Sequence, residues 1–446
     1  MYLRIVNPGE ADARSFTVLG LSTARGRQDT IGQFGSGNKH AVNLCLRSGI
    51  NPLIFCGGKR IEFFTQPEEM EGQSFNRVYC KVSNRKPEAL SMTAEYGELD
   101  WKDIGMALRE FVSNALDAAD GDSGKVKIDI VDKVTARQGK TIVAIPLTPQ
   151  VQEWYSSLHW RFLHFRQDAK IDLGKEILPK SEKQQKEGFI YRKGVMVRTI
   201  GSQTAPSIFN YNFGEELEID EARNLSSSQI RDCVATKLAS GTDELKDVFQ
   251  KLATAENFWE RDLPAWELSH GSRNNKSKWK ELWEEVHGSA IVALHDGPLK
   301  EFAEAKGYRV IIVSNANWYD ALSQAGIDTP ITVLGNVNDK GHVFTDPTAE
   351  GQEAFDEVWT WLELIGLTQG KEKPTMKIFQ DVMNAGCERL GYYLGDICYL
   401  RADQCTHRQT ILEEIAHHVT GSSDCTRDFQ DYAFKCATLA FQAACG

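Results

Sequence analysis

Residues 100–121 read DWKDIGMALREFVSNALDAADG. Ile104, Leu108, Phe111, Val112, Ala115 and Leu116 recur at the spacing of one helical face, which predicts an amphipathic helix from about Trp101 to Ala119 with Asp100 as its N-cap. Glu110, Asn114 and Asp117 stand at i, i+4 and i+7, so they share a second stripe with apolar residues on both flanks. A carboxylate and a carboxamide one turn apart cost free energy to sequester without partners, which makes the stripe a candidate for binding an ion or activating water. A solvated helix face is the other reading of the same spacing.

Strand-like runs surround this helix: LRIVN (3–7), NPLIFCG (51–57), RIEFFT (60–65), VKIDIV (126–131) and TIVAIP (141–146). Helix and strands together predict an α+β class, with an α/β sandwich in the first segment. Upstream lies DTIGQFGSGNKHAVNLCL (29–46), in which Gly32, Gly35 and Gly37 precede a helix expected to begin near Lys39. Glycines let a backbone approach phosphate oxygens closely, and the amides at the start of a helix offer donors with a favourable dipole. The segment is not a Walker A loop, because His40 stands where Ser or Thr is needed. A purely structural turn is the alternative.

EFVSNALDA (110–118) resembles the N-box of the GHKL superfamily, and IGQFGSGNK (31–39) resembles its second glycine box, closest to the heat-shock chaperone and microrchidia versions. The resemblance implies a Bergerat-type sandwich that binds ATP with Mg²⁺. It makes Glu110 the general base and Asn114 the Mg²⁺ ligand, with Asp117 on the same face. Gly32, Gln33, Gly35, Gly37 and Lys39 would surround the triphosphate, and LGLSTARGRQ (19–28), which contains Ser22, would be the mobile lid. In the family the N-box comes first, whereas here the glycine box precedes it, which reads as a circular permutation.

The first glycine box of the family is DxGxG, and its counterpart here is Asn7, Pro8, Gly9, with Asn7 in place of the aspartate. A carboxamide can accept from the adenine amine or donate to a keto oxygen, so both bases stay open. GFIYRKGVMVRT (188–199) and LEIDEARNLSSSQ (217–229) resemble the middle region of the heat-shock chaperones, where an arginine reaches the terminal phosphate; Arg223 is the matching position. The family precedent is a lid that closes on ATP and a homodimer that forms with it, timing a conformational cycle on a protein client. A nucleotide sensor without turnover is the rival reading.

TILEEIAHHVTGSSDCTRDF (410–429) resembles the HExxH helix of minimal zinc peptidases, with Glu413 where the first histidine belongs. Glu414, His417 and Asp424 remain, and the expectation is a degenerate scaffold without peptidase activity; an ATP-regulated metallopeptidase is the alternative.

The rest of the composition sets the frame. With 446 residues, 41% hydrophobic and 25% charged, the chain is expected to be a multidomain globular protein. Polar, lysine-rich stretches at 180–188, 269–280 and 368–377 read as linkers. They delimit a permuted GHKL segment at 1–180, a transducer-like segment at 186–268, a small α/β segment at 281–367 and a helical segment at 375–446. A net charge of −11 disfavours a general nucleic-acid grip. No membrane-length apolar run or leader pattern stands out, so a cytoplasmic location is expected. The ten cysteines show no CxxC pair and read as reduced thiols.

Overall fold

Period-two alternation in the first part of the chain produces a seven-stranded sheet. The computed structural model describes residues 1–18, 30–31, 36–166, 172–180, 187–220, 225–334, 342–381, 390–422 and 426–445. In chain order the first elements are β1 (Tyr2–Pro8), α1 (Arg14–Thr17), α2 (Gly37–Arg47), β2 (Leu53–Cys56), β3 (Lys59–Met70), β4 (Gln73–Val82), β5 (Glu88–Thr93), α3 (Ile104–Asp117), β6 (Lys127–Val131), β7 (Lys140–Pro146) and α4 (Pro149–Ser156). The strands run β5-β4-β3-β2-β7-β1-β6, every neighbouring pair antiparallel.

One face of this sheet carries the core. Leu3 and Ile5 of β1, Ile54 and Cys56 of β2, and Val143 and Ile145 of β7 pack with Ala41, Val42 and Cys45 of α2 and with Phe111, Val112 and Ala115 of α3. Each such fully buried aliphatic side chain is worth roughly 1.5–3 kcal/mol. The intervening residues Val6, Phe55 and Ile142 form a smaller cluster on the opposite face. α3 starts later than the sequence suggests. Trp101 is only 2% exposed, and its N–H bonds Gly97 O at 2.9 Å in a turn, so burial of the indole holds this stretch out of the helix. Asp103 then caps instead of Asp100, accepting from Gly105 N at 2.6 Å.

A second sheet follows, formed by β8 (Ile177–Pro179), β9 (Gly188–Arg192), β10 (Val195–Ile200) and β11 (Phe209–Phe213) in the order β10-β9-β11-β8. The strand-like run 189–200 folds back on itself at Lys193 and Gly194, whose φ values of +50° and +75° mark a tight hairpin turn of the primed type. Glu260 is fully buried beneath this sheet, its carboxylate accepting from Ser207 Oγ at 2.6 Å, Ile208 N at 3.0 Å and Tyr211 Oη at 3.0 Å. Both sheets belong to one compact unit, Met1–Val248 with Glu256–Leu268.

The second unit comprises Phe249–Ala255 and Ser269–Gly446. The stretch 269–280, expected as a linker, is helical: Ala265–Asn274 and Lys276–His287 are helices, and Trp279, Leu282 and Trp283 are buried. The lysines and asparagines that suggested a loop are its polar face. A parallel pair, β12 (Ile291–Ala293) and β13 (Val310–Ile312), brackets the helix Pro298–Ala305. The helical expectation for 375–446 holds for its second half only. β14 (His342–Thr345), β15 (Thr375–Asp381), β16 (Gly391–Leu394) and β17 (Ile397–Arg401) form a sheet in the order β14-β15-β17-β16, because Met376 and Ile378, and Cys398 and Leu400, alternate into the core. Helices Arg408–Thr420 and Arg427–Cys445 follow. No helix among the described residues is long and apolar enough to cross a membrane.

Candidate functional site

α2 and α3 lie side by side on the sheet, and their contact brings the two sequence motifs together. Gly37 opens α2 directly against Glu110: a Cβ built there would lie 2.1 Å from Glu110 Oε1 and 2.4 Å from its Cδ. Only glycine allows the backbone this close to the carboxylate. The next residue, Asn38, accepts through Oδ1 from Asn114 Nδ2 at 2.9 Å, and the same Nδ2 lies 3.3 Å from Glu110 Oε1. One turn on, Asp117 Oδ1 accepts from Ile31 N at 2.6 Å. All three stripe residues therefore touch the glycine segment. Glu110 is buried and Asn114 and Asp117 are half-buried, so the stripe is a packed seam rather than an ordinary solvated face.

At the Asp117 end of α3 a cavity of about 420 Å³ opens, lined by Thr30, Asp117, Asp120, Gly121, His164 and Lys193 among others. Its volume falls within the roughly 300–1,000 Å³ of small-molecule sites. Lys193 reaches it from the β9–β10 turn, donating from Nζ to Thr30 O at 3.0 Å and pairing with Glu215. The neighbouring Gly194 is required twice over, by its positive φ and because a Cβ would meet His164 Cε1 at 2.6 Å. Burial pushes the His164 imidazole down to about 4, so it is neutral at physiological pH.

Asn7 is buried at the end of β1, on the same face as Leu3 and Ile5, and pairs with Thr141 of β7. Its Nδ2 donates to Pro8 O at 2.8 Å, which leaves Oδ1 as the acceptor. Thr141 Oγ1 donates to Gly9 O at 2.9 Å and accepts from Ala11 N at 2.8 Å, fixing the turn that contains Gly9. Nothing among the described residues joins Asn7 directly to the stripe. Lys39 is buried in the first turn of α2, and burial lowers its ammonium pKa. His40 beside it is sandwiched between Tyr96 and Trp101, with ring centroids 4.8 and 5.1 Å away. Ser22, Gly32, Gln33, Gly35 and Arg223 lie outside the described residues, as do the lid stretch 19–28 and Asp424.

In the second unit the helix Arg408–Thr420 sends its polar residues in different directions. Glu413 is exposed, and Glu414 is buried against Gly391. His417 stacks on Phe429 at 4.4 Å and donates from Nδ1 to Ser422 O at 2.7 Å. His418 donates from Nε2 to Glu372 O at 2.8 Å, and its Nδ1 lies 3.2 Å from Tyr393 Oη, whose proton goes to Asp396 Oδ1 at 3.0 Å.

No protein-family model matches the chain, and no curated protein is significantly similar to it. The site is thus read from its own geometry. That geometry adds three residues that sequence reasoning passed over: Asn38, Thr141 and Lys193. Only Lys193 carried a strong local signal, a Lys-Gly pair between two strand-like runs, which is a two-residue hairpin pattern.

Proposed function

We propose that the first unit binds Mg-ATP and hydrolyses it as a GHKL-type module, a Bergerat sandwich with its blocks in permuted order. The observation that carries the reading is the contact of Gly37 with Glu110, extended by the pairs Asn38–Asn114 and Ile31–Asp117. Two segments far apart in sequence, each matching one half of a nucleotide site, meet residue by residue. Their order along the chain matters little when α2 and α3 pack as neighbours over one sheet.

Glu110 is the base in this reading: its carboxylate, tied to Asn114, takes the proton of the attacking water. Asn114 has Nδ2 committed to Asn38 and Glu110, and presents Oδ1, a hard oxygen donor that suits Mg²⁺. Bound there, Mg²⁺ supplies charge neutralisation on the phosphate oxygens. Gly37, Lys39 and the remainder of 31–39 form the phosphate side, and Lys193 joins Arg223 as a candidate cation for the terminal phosphate. Asn7, with Thr141 beside it, faces the base. Closure of 19–28 and dimerisation on ATP then couple turnover to a protein client in the cytoplasm.

The test is nucleotide binding and turnover with and without Mg²⁺, on the wild type and on Glu110→Gln. The variant should retain affinity within about threefold and lose about 10²–10⁴-fold in turnover, the usual worth of a general base. Unchanged turnover sinks the catalytic assignment, and nucleotide binding without turnover in the wild type favours a sensor.

A further inference from the structure

We propose that the cleft between the N-terminus of α3, the short helix Leu158–Arg161 and β10 is a separate anion site that takes a tetrahedral phosphate group. Arg109, Arg161 and Arg198 line a cavity of about 230 Å³ there, together with Asp103. It shares no lining residue with the cavity at Asp117. The volume of about 230 Å³ corresponds to roughly eight waters at about 30 Å³ each, and it lies below the usual range for whole small-molecule ligands. A phosphate group with a few waters fits this volume.

Three features show that the cleft is built. Regular strand alternation would send half of β10 away from it, yet Met196, Val197, Arg198 and Thr199 all line it. The cause is a bulge: the register to β9 shifts between Met196 and Arg198, so Val197 is an extra residue and the regular alternation is broken there. Arg198 is held through its terminal nitrogens, Nη1 donating to Leu225 O at 2.9 Å and Nη2 to Ser227 Oγ at 3.2 Å, which leaves the second hydrogen on each for an anion.

Arg161 is held by a different edge. Its Nε donates to Ser157 Oγ at 2.7 Å and its guanidinium lies 5.7 Å from the Trp154 ring centre, which leaves the terminal nitrogens as the fork toward the cavity. Burial lowers its pKa, against the opposing pull of Asp103 and Glu153. A half-desolvated guanidinium of this kind gains most from a dianion it can grip with two parallel bonds. Gly105 and Met106, in the first turn of α3, complete the wall, so the positive end of the helix dipole adds to the arginines. Asp103 Oδ1 is already spent on capping Gly105 N.

Titration of the full chain with orthophosphate and, separately, with phenyl phosphate, followed by calorimetry at low and high NaCl, tests the site. Saturable binding is expected, weakened by salt and weakened at least about tenfold in both Arg161→Gln and Arg198→Gln. Arg60→Gln, which removes an arginine on β3 that pairs with Glu62 and does not line the cleft, should leave it intact. Preference for phenyl phosphate identifies a phosphomonoester as the ligand, and preference for orthophosphate identifies the free ion. Absence of saturable binding overturns the proposal, as does binding that survives both arginine variants or falls equally in Arg60→Gln. Arg198 is exposed, so Arg198→Gln still tests the site even if Arg161→Gln fails to fold.

Discussion

Gly37→Ala places one methyl where the structure has no room for it. The new carbon would sit 2.1 Å from Glu110 Oε1, against a comfortable separation of about 3.5–4.0 Å, so the carboxylate must retreat by about 1–2 Å and leave Asn114. Overpacking of this kind costs about 1–3 kcal/mol, while replacing a helical glycine with alanine returns up to about 1 kcal/mol. The net destabilisation is therefore about 0–2 kcal/mol, too small to interpret alone. A double-mutant cycle resolves it. In a Glu110→Ala background the methyl has space, and Gly37→Ala should become neutral or stabilising, giving a coupling of about 1–3 kcal/mol. Urea unfolding of the four proteins measures the coupling. ATP turnover provides the second readout: a carboxylate misplaced by about 1 Å should cost on the order of 10²-fold. Additivity within about 0.3 kcal/mol, with turnover intact in the single variant, would refute both the close approach and the role built on it.

Three further outcomes are expected. His164 has a folded pKa of about 4 against an ordinary value of 6.5, so its stabilising contribution is complete above 6.5 and is lost as the pH falls toward 4; the wild type should lose about 3 kcal/mol more than His164→Gln across that window in urea titrations, and parallel curves would contradict it. Lys193→Met should weaken ATP by about tenfold or more while leaving adenosine unchanged, since a cation meets phosphate and not base; equal effects on both ligands in equilibrium dialysis would remove Lys193 from the phosphate end. Asn7→Ala should change the ratio of ATP to GTP affinity in competition binding, and untouched affinities for both would move the base pocket elsewhere.

How much of this was legible in the sequence differs by element. The α3 stripe could be read because helical periodicity is a local property: Glu110, Asn114 and Asp117 announce a shared face without any tertiary information. That Gly37 must be glycine could not, because the cause is a side chain on another helix. The N-cap failed for a similar reason. Asp100 and Asp103 are both good caps, and the choice between them was made by Trp101 entering the core. At 269–280 the run of polar residues read as a linker, but polar residues also coat helices, and the buried partners Trp279, Leu282 and Trp283 come mostly at or beyond the end of that stretch. In 375–401 the strands are short, so the alternation of Met376 with Ile378 and of Cys398 with Leu400 was too brief to outweigh the helical pattern after it.

Lys193 has a consequence beyond its charge. It sits in a two-residue turn whose backbone has no slack, since both φ values are confined to the left-handed region. Its Nζ holds Thr30 O, the next residue Ile31 holds Asp117 through its N–H, and Asp117 shares α3 with Glu110. The second sheet is thereby linked to the Glu110–Asn114–Asp117 stripe through a short series of polar contacts, each specific to one atom. An anion that draws Lys193 Nζ away from Thr30 exchanges one of these contacts for a charge-assisted bond. The rigid turn must then carry β9 and β10 with it, or Glu215 must give up its own pairing with Lys193 and Arg192. Either response differs between the occupied and vacant states, which is the physical requirement for one sheet to register what the other binds. In the proposed reading the lysine at the turn is therefore both a ligand for phosphate and the point at which occupancy becomes a change in the second sheet.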